Sequence, residues 1–187
     1  MHGTARKGRH GAGHKVLRPD RVISPNHSRA IAALEEDAGV EHVQSDSVSY
    51  GAVVEAGDKD FGRRVFPSYD FGSAKTVVSL NADFLGTWGD TVWYTTEWAK
   101  TRRPEDGAMS VLHAFESGMS LTGSNADRRT RVKPSQQGNV AAALLNEING
   151  QGHAAGLDEA TLAGVKAAAA DLKAAGANGL VVAGDND

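Results

Sequence analysis

The chain has 187 residues, 40% of them hydrophobic and 23% charged, which is the balance of about one globular domain and a remainder. It has no cysteine, so these residues hold no disulfide, no thiolate-held iron–sulfur cluster, no cysteine nucleophile and no cysteine-ligated zinc. Residues 1–18 carry five basic residues and no acid; the other fifteen basic and twenty-three acidic residues leave an acidic body of −8 against an overall −3, a poor surface for nucleic acid.

Residues 1–18 read as a disordered basic tail, with four glycines in the first fourteen and no periodicity. No apolar stretch of secretory-signal length follows, and none approaches the ~18 residues of a membrane span. An α/β domain is expected over residues 19–187. Val22-Ile23 is a short apolar pair. Ser24-Pro25 has the form of a helix start, with Ser24 as N-cap and Pro25 in the first turn, and the helix is predicted to reach Ala38 and stop at Gly39. His42 to Gln44 suggests a short strand. Residues 46–74, punctuated by Gly51, Gly57, Gly62, Pro67 and Gly72, read as irregular.

Lys75 to Leu80 is the clearest strand, an unbroken apolar and β-branched run suited to burial on both faces of a parallel sheet. The loop Asn81 to Gly86 follows. Asp90 to about Arg102 reads as a helix carrying Val92, Trp93, Thr96 and Ala99. Ser110 to Phe115 is a strand that ends in a second polar loop, 116–127. Thr130 to Lys133 is expected to be extended. Helices are predicted over 137–149 and 158–175. In the second, Leu162, Val165, Ala169 and Leu172 make one apolar face, and eight of the sixteen residues 160–175 are alanine, which favours helix. Leu180 to Ala183 is a last strand. Strands alternating with helices predict a Rossmann-like three-layer α/β domain with a mostly parallel sheet. In that architecture a helix would cover the last strand, so the chain reads as a truncated segment of a larger protein.

Ligands of open α/β sheets sit beyond the carboxyl ends of the strands, where loops 81–89 and 116–127 are expected. Both are rich in Gly, Ser, Thr, Asn and Asp, which can hold a phosphate or serve only as turns. Asp83, Glu116 and Asp127 all follow strands; converging there, they would suit a cation or a sugar hydroxyl, whereas such residues more often cap helices. Gly150 to Gly156 imitates a dinucleotide loop but lies between helices, so it reads as a turn. His113, on the face of Val111 and Phe115, reads as a satisfied core histidine. His10 and His14 lie in the tail, a poor setting for a metal. Trp88, Trp93 and Trp98 read as packing residues, with Trp88 inside a candidate ligand loop.

Four stretches, VISPNHSRAIAAL (22–34), AKTVVSLNADFLGTW (74–88), FESGMSLTGSNADRRTRVKPS (115–135) and LVVAGDND (180–187), resemble the molybdopterin oxidoreductase superfamily. They are most similar to the large iron–sulfur subunit of bacterial alternative complex III, a quinol:cytochrome c oxidoreductase. The resemblance implies that Asn81, Ala82 and Asp83 approach a pterin guanine dinucleotide, and that Glu116, Ser117, Thr122, Ala126 and Asp127 match the loop touching its phosphates and ribose. Two departures matter. Ser117-Gly118 stands where the family has Pro-Arg, which removes a phosphate-pairing guanidinium. Ser135-Gln136-Gln137 stands where an acid would meet the guanine; a glutamine still hydrogen-bonds a base, without that charge.

These losses favour a domain that keeps the architecture and binds no cofactor. The expected function is a scaffold segment for electron transfer, with no catalytic residue of its own. Its iron–sulfur clusters would lie in the missing part. Its partners would be cytochrome c and integral membrane subunits at the periplasmic face of the bacterial inner membrane. The alternatives are part of a catalytic molybdenum oxidoreductase of the dimethyl sulfoxide reductase type, with molybdopterin guanine dinucleotide on the two loops, and an unrelated Rossmann-like nucleotide-binding domain.

Overall fold

A computed structural model describes residues 15–18, 24–44, 49–107, 109–152 and 156–184. The chain divides into two compact units, Met1–Tyr50 and Gly51–Asp187. Val22-Ile23, His10 and His14 lie outside the described residues.

In the first unit, Lys15–Arg18 form strand β1, where the sequence reads as tail, and pair in parallel with β2, Glu41–Gln44. Between them runs α1, Pro25–Ala38. Its ends are those of the sequence pattern. The Ser24 hydroxyl accepts the His27 N–H at 3.2 Å, and the Gly39 N–H closes on the Glu35 carbonyl. No side chain of α1 is buried, so caps and local hydrogen bonds hold it more than packing does.

The second unit begins with α2, Gly51–Phe61, in a stretch that reads as irregular. The misleading residue is Gly57. A Cβ there would lie 2.7 Å from the Val65 carbonyl oxygen, so this glycine lets the following chain close against the helix. Next come β3 (Thr76–Leu80), α3 (Thr91–Lys100), β4 (Val111–Glu116), the single turn α4 (Leu121–Ser124) and β5 (Arg128–Arg131). The pair α5 (Gln137–Asn149) and α6 (Glu159–Ala175) leads to β6, Gly179–Ala183. The four strands make one all-parallel sheet in the order β5-β4-β3-β6, giving the Rossmann-like three-layer α/β fold.

Every residue of β3 is buried, as its apolar run requires for a strand between two neighbours. On one face Val78, Leu80 and Phe115 pack under Val140, Ala143 and Leu144 of α5 and Val165, Ala168, Ala169 and Leu172 of α6. Each fully buried aliphatic side chain contributes roughly 1.5–3 kcal/mol. His113 shares this face, and its Nε2 lies 2.8 Å from the Asp171 carboxylate of α6, so it is a satisfied core histidine. Leu162 of α6 is only half-buried.

The other face carries an aromatic layer. Phe71 and Phe84 stack at 4.2 Å between centroids, and Tyr69, Trp88, Tyr94 and Trp98 surround them. Of the tryptophans read as packing residues, this layer takes Trp88 and Trp98 but not Trp93. Tyr94 and Trp98, one turn apart, are buried, whereas Val92 and Trp93 are 78% and 50% exposed. Where the sequence predicts Thr130–Lys133 to be extended, the strand is Arg128–Arg131, and Arg129 lies in the sheet with its charge paired to Glu116.

Candidate functional site

All four strands point the same way, so the loops after β3, β4 and β6 open on one edge. The chain builds from β3 to β4 to β5 in one direction, then returns to place β6 on the other side of β3. The switch point of the sheet therefore lies between β3 and β6. There Asn81 takes a left-handed backbone, φ 55°, and donates its N–H to the Phe115 carbonyl. Gly184 donates to the Leu80 carbonyl, and a Cβ on it would lie 2.6 Å from the Asn81 oxygen. The two chains meet too closely at this point for any larger residue.

The carboxylates and hydroxyls of the two loops bind one another. The buried Ser79 hydroxyl donates to the Ala82 carbonyl at 2.7 Å and accepts the Ala82 N–H, which closes the turn after β3. Asp83 Oδ1 accepts both the N–H and the hydroxyl of Thr122, each at 2.9 Å, and Thr122 Oγ1 accepts the Leu85 N–H. Thr87 donates to Asp83 Oδ2. Loops 81–89 and 116–127 are thereby stapled through Asp83 and Thr122. Glu116 is buried and accepts from the Ser120 N–H and hydroxyl and from Arg129 Nε at 2.5 Å. Ser117 is exposed beside it.

Asp127 is not at this edge. It directly precedes β5, whose first residue Arg128 pairs with His113, and its own N–H bonds the Leu112 carbonyl, so it lies four residues, about 13 Å, back along the strands from Glu116. Asp83, Glu116 and Asp127 thus do not converge: the single turn α4 and the turn at Asn125 and Ala126 that continues it carry the chain back across the sheet before Asp127. There Arg102 forks onto both carboxylate oxygens at 2.8 and 3.0 Å, and the Leu112 N–H adds a third bond at 2.8 Å. The Arg102 guanidinium also lies 5.2 Å from the centre of the Trp98 ring. Burial is the largest single influence on the Asp127 carboxyl and pushes its pKa up. The hydrogen bonds from Arg102 and Leu112, with the Arg102 charge, together outweigh it and hold the group below the usual carboxylate range.

The sequence reading did not identify Arg102 and Arg129 as the partners of these acids. Alternation could have paired Arg129 with Glu116, but only with the register of β5 in hand. Gln136 and Gln137, which could have met a base, each donate a side-chain amide to a backbone carbonyl, of Gly156 and Phe115. Trp88 is 3% exposed and packs in the aromatic layer rather than opening to a ligand.

A pterin guanine dinucleotide does not fit this set of residues as its family motif would hold it. Asp83, Glu116 and Thr122 are engaged by protein partners, Asp127 is at the far edge and paired with Arg102, Ala82 is buried, and Asn81 and Ser117 are exposed. Among the described residues no group of three or more His, Asp or Glu could hold a metal ion, and no helix is long and apolar enough to cross a membrane. No family model matches the chain, and no curated protein matches it.

Proposed function

We propose that this chain is a scaffold segment of a molybdopterin-oxidoreductase-like iron–sulfur subunit, in a respiratory quinol:cytochrome c oxidoreductase of the alternative complex III type. Its role is to hold neighbouring parts in place for electron transfer, and it carries no reacting group. The observation that supports this reading is the internal pairing of Asp83, Glu116 and Asp127. A carboxylate engaged by two or three protein donors is a structural strut. It is poorly placed to receive a phosphate, ribose hydroxyl or guanine. In this reading the clusters, and the partners cytochrome c and the integral membrane subunits, belong to the remainder of a periplasm-facing assembly, since these residues contain no cysteine.

The test is the molybdenum-to-iron ratio of the natively purified particle containing this chain. Iron without molybdenum is the expected result. Stoichiometric molybdenum would overturn the scaffold reading and direct attention to Asn81 and Ser117 as contacts of a catalytic cofactor. Absence of both metals would overturn the family assignment in favour of a nucleotide-binding Rossmann-like domain.

A further inference from the structure

The dipeptide Asn-Gly occurs twice in the chain, at Asn149-Gly150 and at Asn178-Gly179. Asparagine is thermolabile, and most of all before glycine, which has no side chain to shield its amide nitrogen from the neighbouring side-chain carbonyl. Both asparagines are exposed, so access to water does not separate them. Their hydrogen bonds do.

Asn178 directly precedes β6 and is held at the atoms that such chemistry would have to move. Its side-chain amide nitrogen donates to the Ser73 carbonyl at 2.9 Å. Its own carbonyl accepts the Lys75 N–H at 2.9 Å, and the Gly179 N–H closes on the Gly176 carbonyl. Gly179 also lies in register with Thr76 of the buried strand β3, and a Cβ built on it would come within 3.1 Å of Leu172. Asn149 is different. It is the last residue of α5, and among the described residues its side chain has no hydrogen-bond partner. Gly150 follows in a left-handed backbone, φ 71°, with nothing within 4 Å of a Cβ built on it. Its N–H is shared between the Asn146 and Glu147 carbonyls, the second at 3.4 Å. These are bonds of a last helical turn, the part of a helix that opens most readily.

We propose that Asn149-Gly150 is a self-modifying site, where the folded chain converts Asn149 to a mixture of aspartate and isoaspartate, while the sheet protects Asn178-Gly179. The Gly150 nitrogen gives its proton to a solvent base and attacks Asn149 Cγ. The new C–N bond closes a cyclic imide, the Cγ–Nδ2 bond breaks, and the nitrogen leaves as ammonia with a proton from water. Water then opens either carbonyl of the imide. No oxidant, metal or enzyme is required, and the inference does not depend on the proposed redox assembly. The carboxylate gained stands at the negative end of the α5 dipole. The isoaspartyl form also lengthens the backbone by a methylene inside the turn that the Gln151 N–H closes on the Asn146 carbonyl at 2.8 Å.

The experiment holds the full chain folded in mildly alkaline buffer and follows both dipeptides by peptide mapping with mass spectrometry, in parallel with the chain unfolded in urea. Asn149 is expected to lose its amide at least about ten-fold faster than Asn178 in the folded chain, because the bonded Asn178-Gly179 peptide must first open. In urea the two should convert at comparable rates. Asn149→Gln should silence the site, since its longer side chain closes a larger ring that forms more slowly. In the converted fraction the Gln151 amide should exchange faster than in the unconverted one. Three results would overturn the proposal. The first is Asn178 converting as fast as Asn149 in the folded chain. The second is a folded chain in which Asn149 stays unconverted. The third is a preference for Asn149 that persists undiminished in urea, which would assign it to the neighbouring residues in sequence rather than to the fold.

Discussion

Asp127 shows how a residue that reads as a ligand contact becomes a strut. Its carboxylate receives two bonds from Arg102 and one from Leu112, and these keep it ionised despite partial burial. Its folded-state pKa is depressed, so the stability it adds is complete above its unfolded value, about 3.9. That stability is lost as pH falls through the lower folded value. Urea titrations between pH 7 and pH 2 should show a falling midpoint below about pH 4. In Asp127→Asn part of that fall should vanish, and the variant should be less stable at pH 7 by about 1 kcal/mol, a modest figure because the pair is partly solvated. An unchanged acid limb in the variant would remove Asp127 from this account. Identity and chain position do not show whether an aspartate is free or paired, because pairing depends on residues 15 and 25 positions away that only the fold brings near.

At the scale of elements, the same substitution has opposite signs in two helices. Gly57 of α2 faces the Val65 carbonyl at a distance that leaves no room for a methyl group, whereas nothing lies within 4 Å of a Cβ built at Gly138 of α5. Alanine is the better helix former by up to about 1 kcal/mol. Gly138→Ala should therefore raise thermal stability, by roughly 0.5–1 kcal/mol. Gly57→Ala should lower it, since the displaced 62–65 segment costs more than the gained propensity. Calorimetry on the two variants checks both signs, and a stabilised Gly57→Ala would show that the segment yields freely. The pair also shows why α2 is hard to read. Its glycines have the look of a loop, and the reason for Gly57 is a backbone atom eight residues on. In contrast, α1, α5 and α6 are legible because their caps and apolar spacing are local: Ser24, Asp158 and Gly39 mark ends that need no distant partner.

Across the whole molecule, stability is unevenly spread. Strand β3 is buried throughout and flanked by β4 and β6, whereas α1 buries no side chain. Native-state hydrogen exchange should leave the β3 amides at least about a hundred-fold slower than those of α1. Comparable rates in the two would mean that α1 is held by packing not evident in its exposure. The same unevenness bears on function. At the carboxyl edge, where a Rossmann-like sheet usually meets its ligand, Asp83 and Glu116 are paired with protein donors, while an apolar groove lined by Phe61, Val181 and Gly184 lies beside β6.

By itself the sequence determined the alternation of strand and helix, the buried central strand, the ends of α1, α5 and α6, and the core role of His113. These depend on period, β-branching and capping, which act over a few residues. Only the tertiary structure decided which face of α3 is buried, that a glycine-bearing stretch is helical, and that Asp127 lies across the sheet from Glu116. It also decided which arginine neutralises which acid. Those outcomes depend on register and on contacts between segments tens of residues apart, where geometry selects among partners that are locally equivalent.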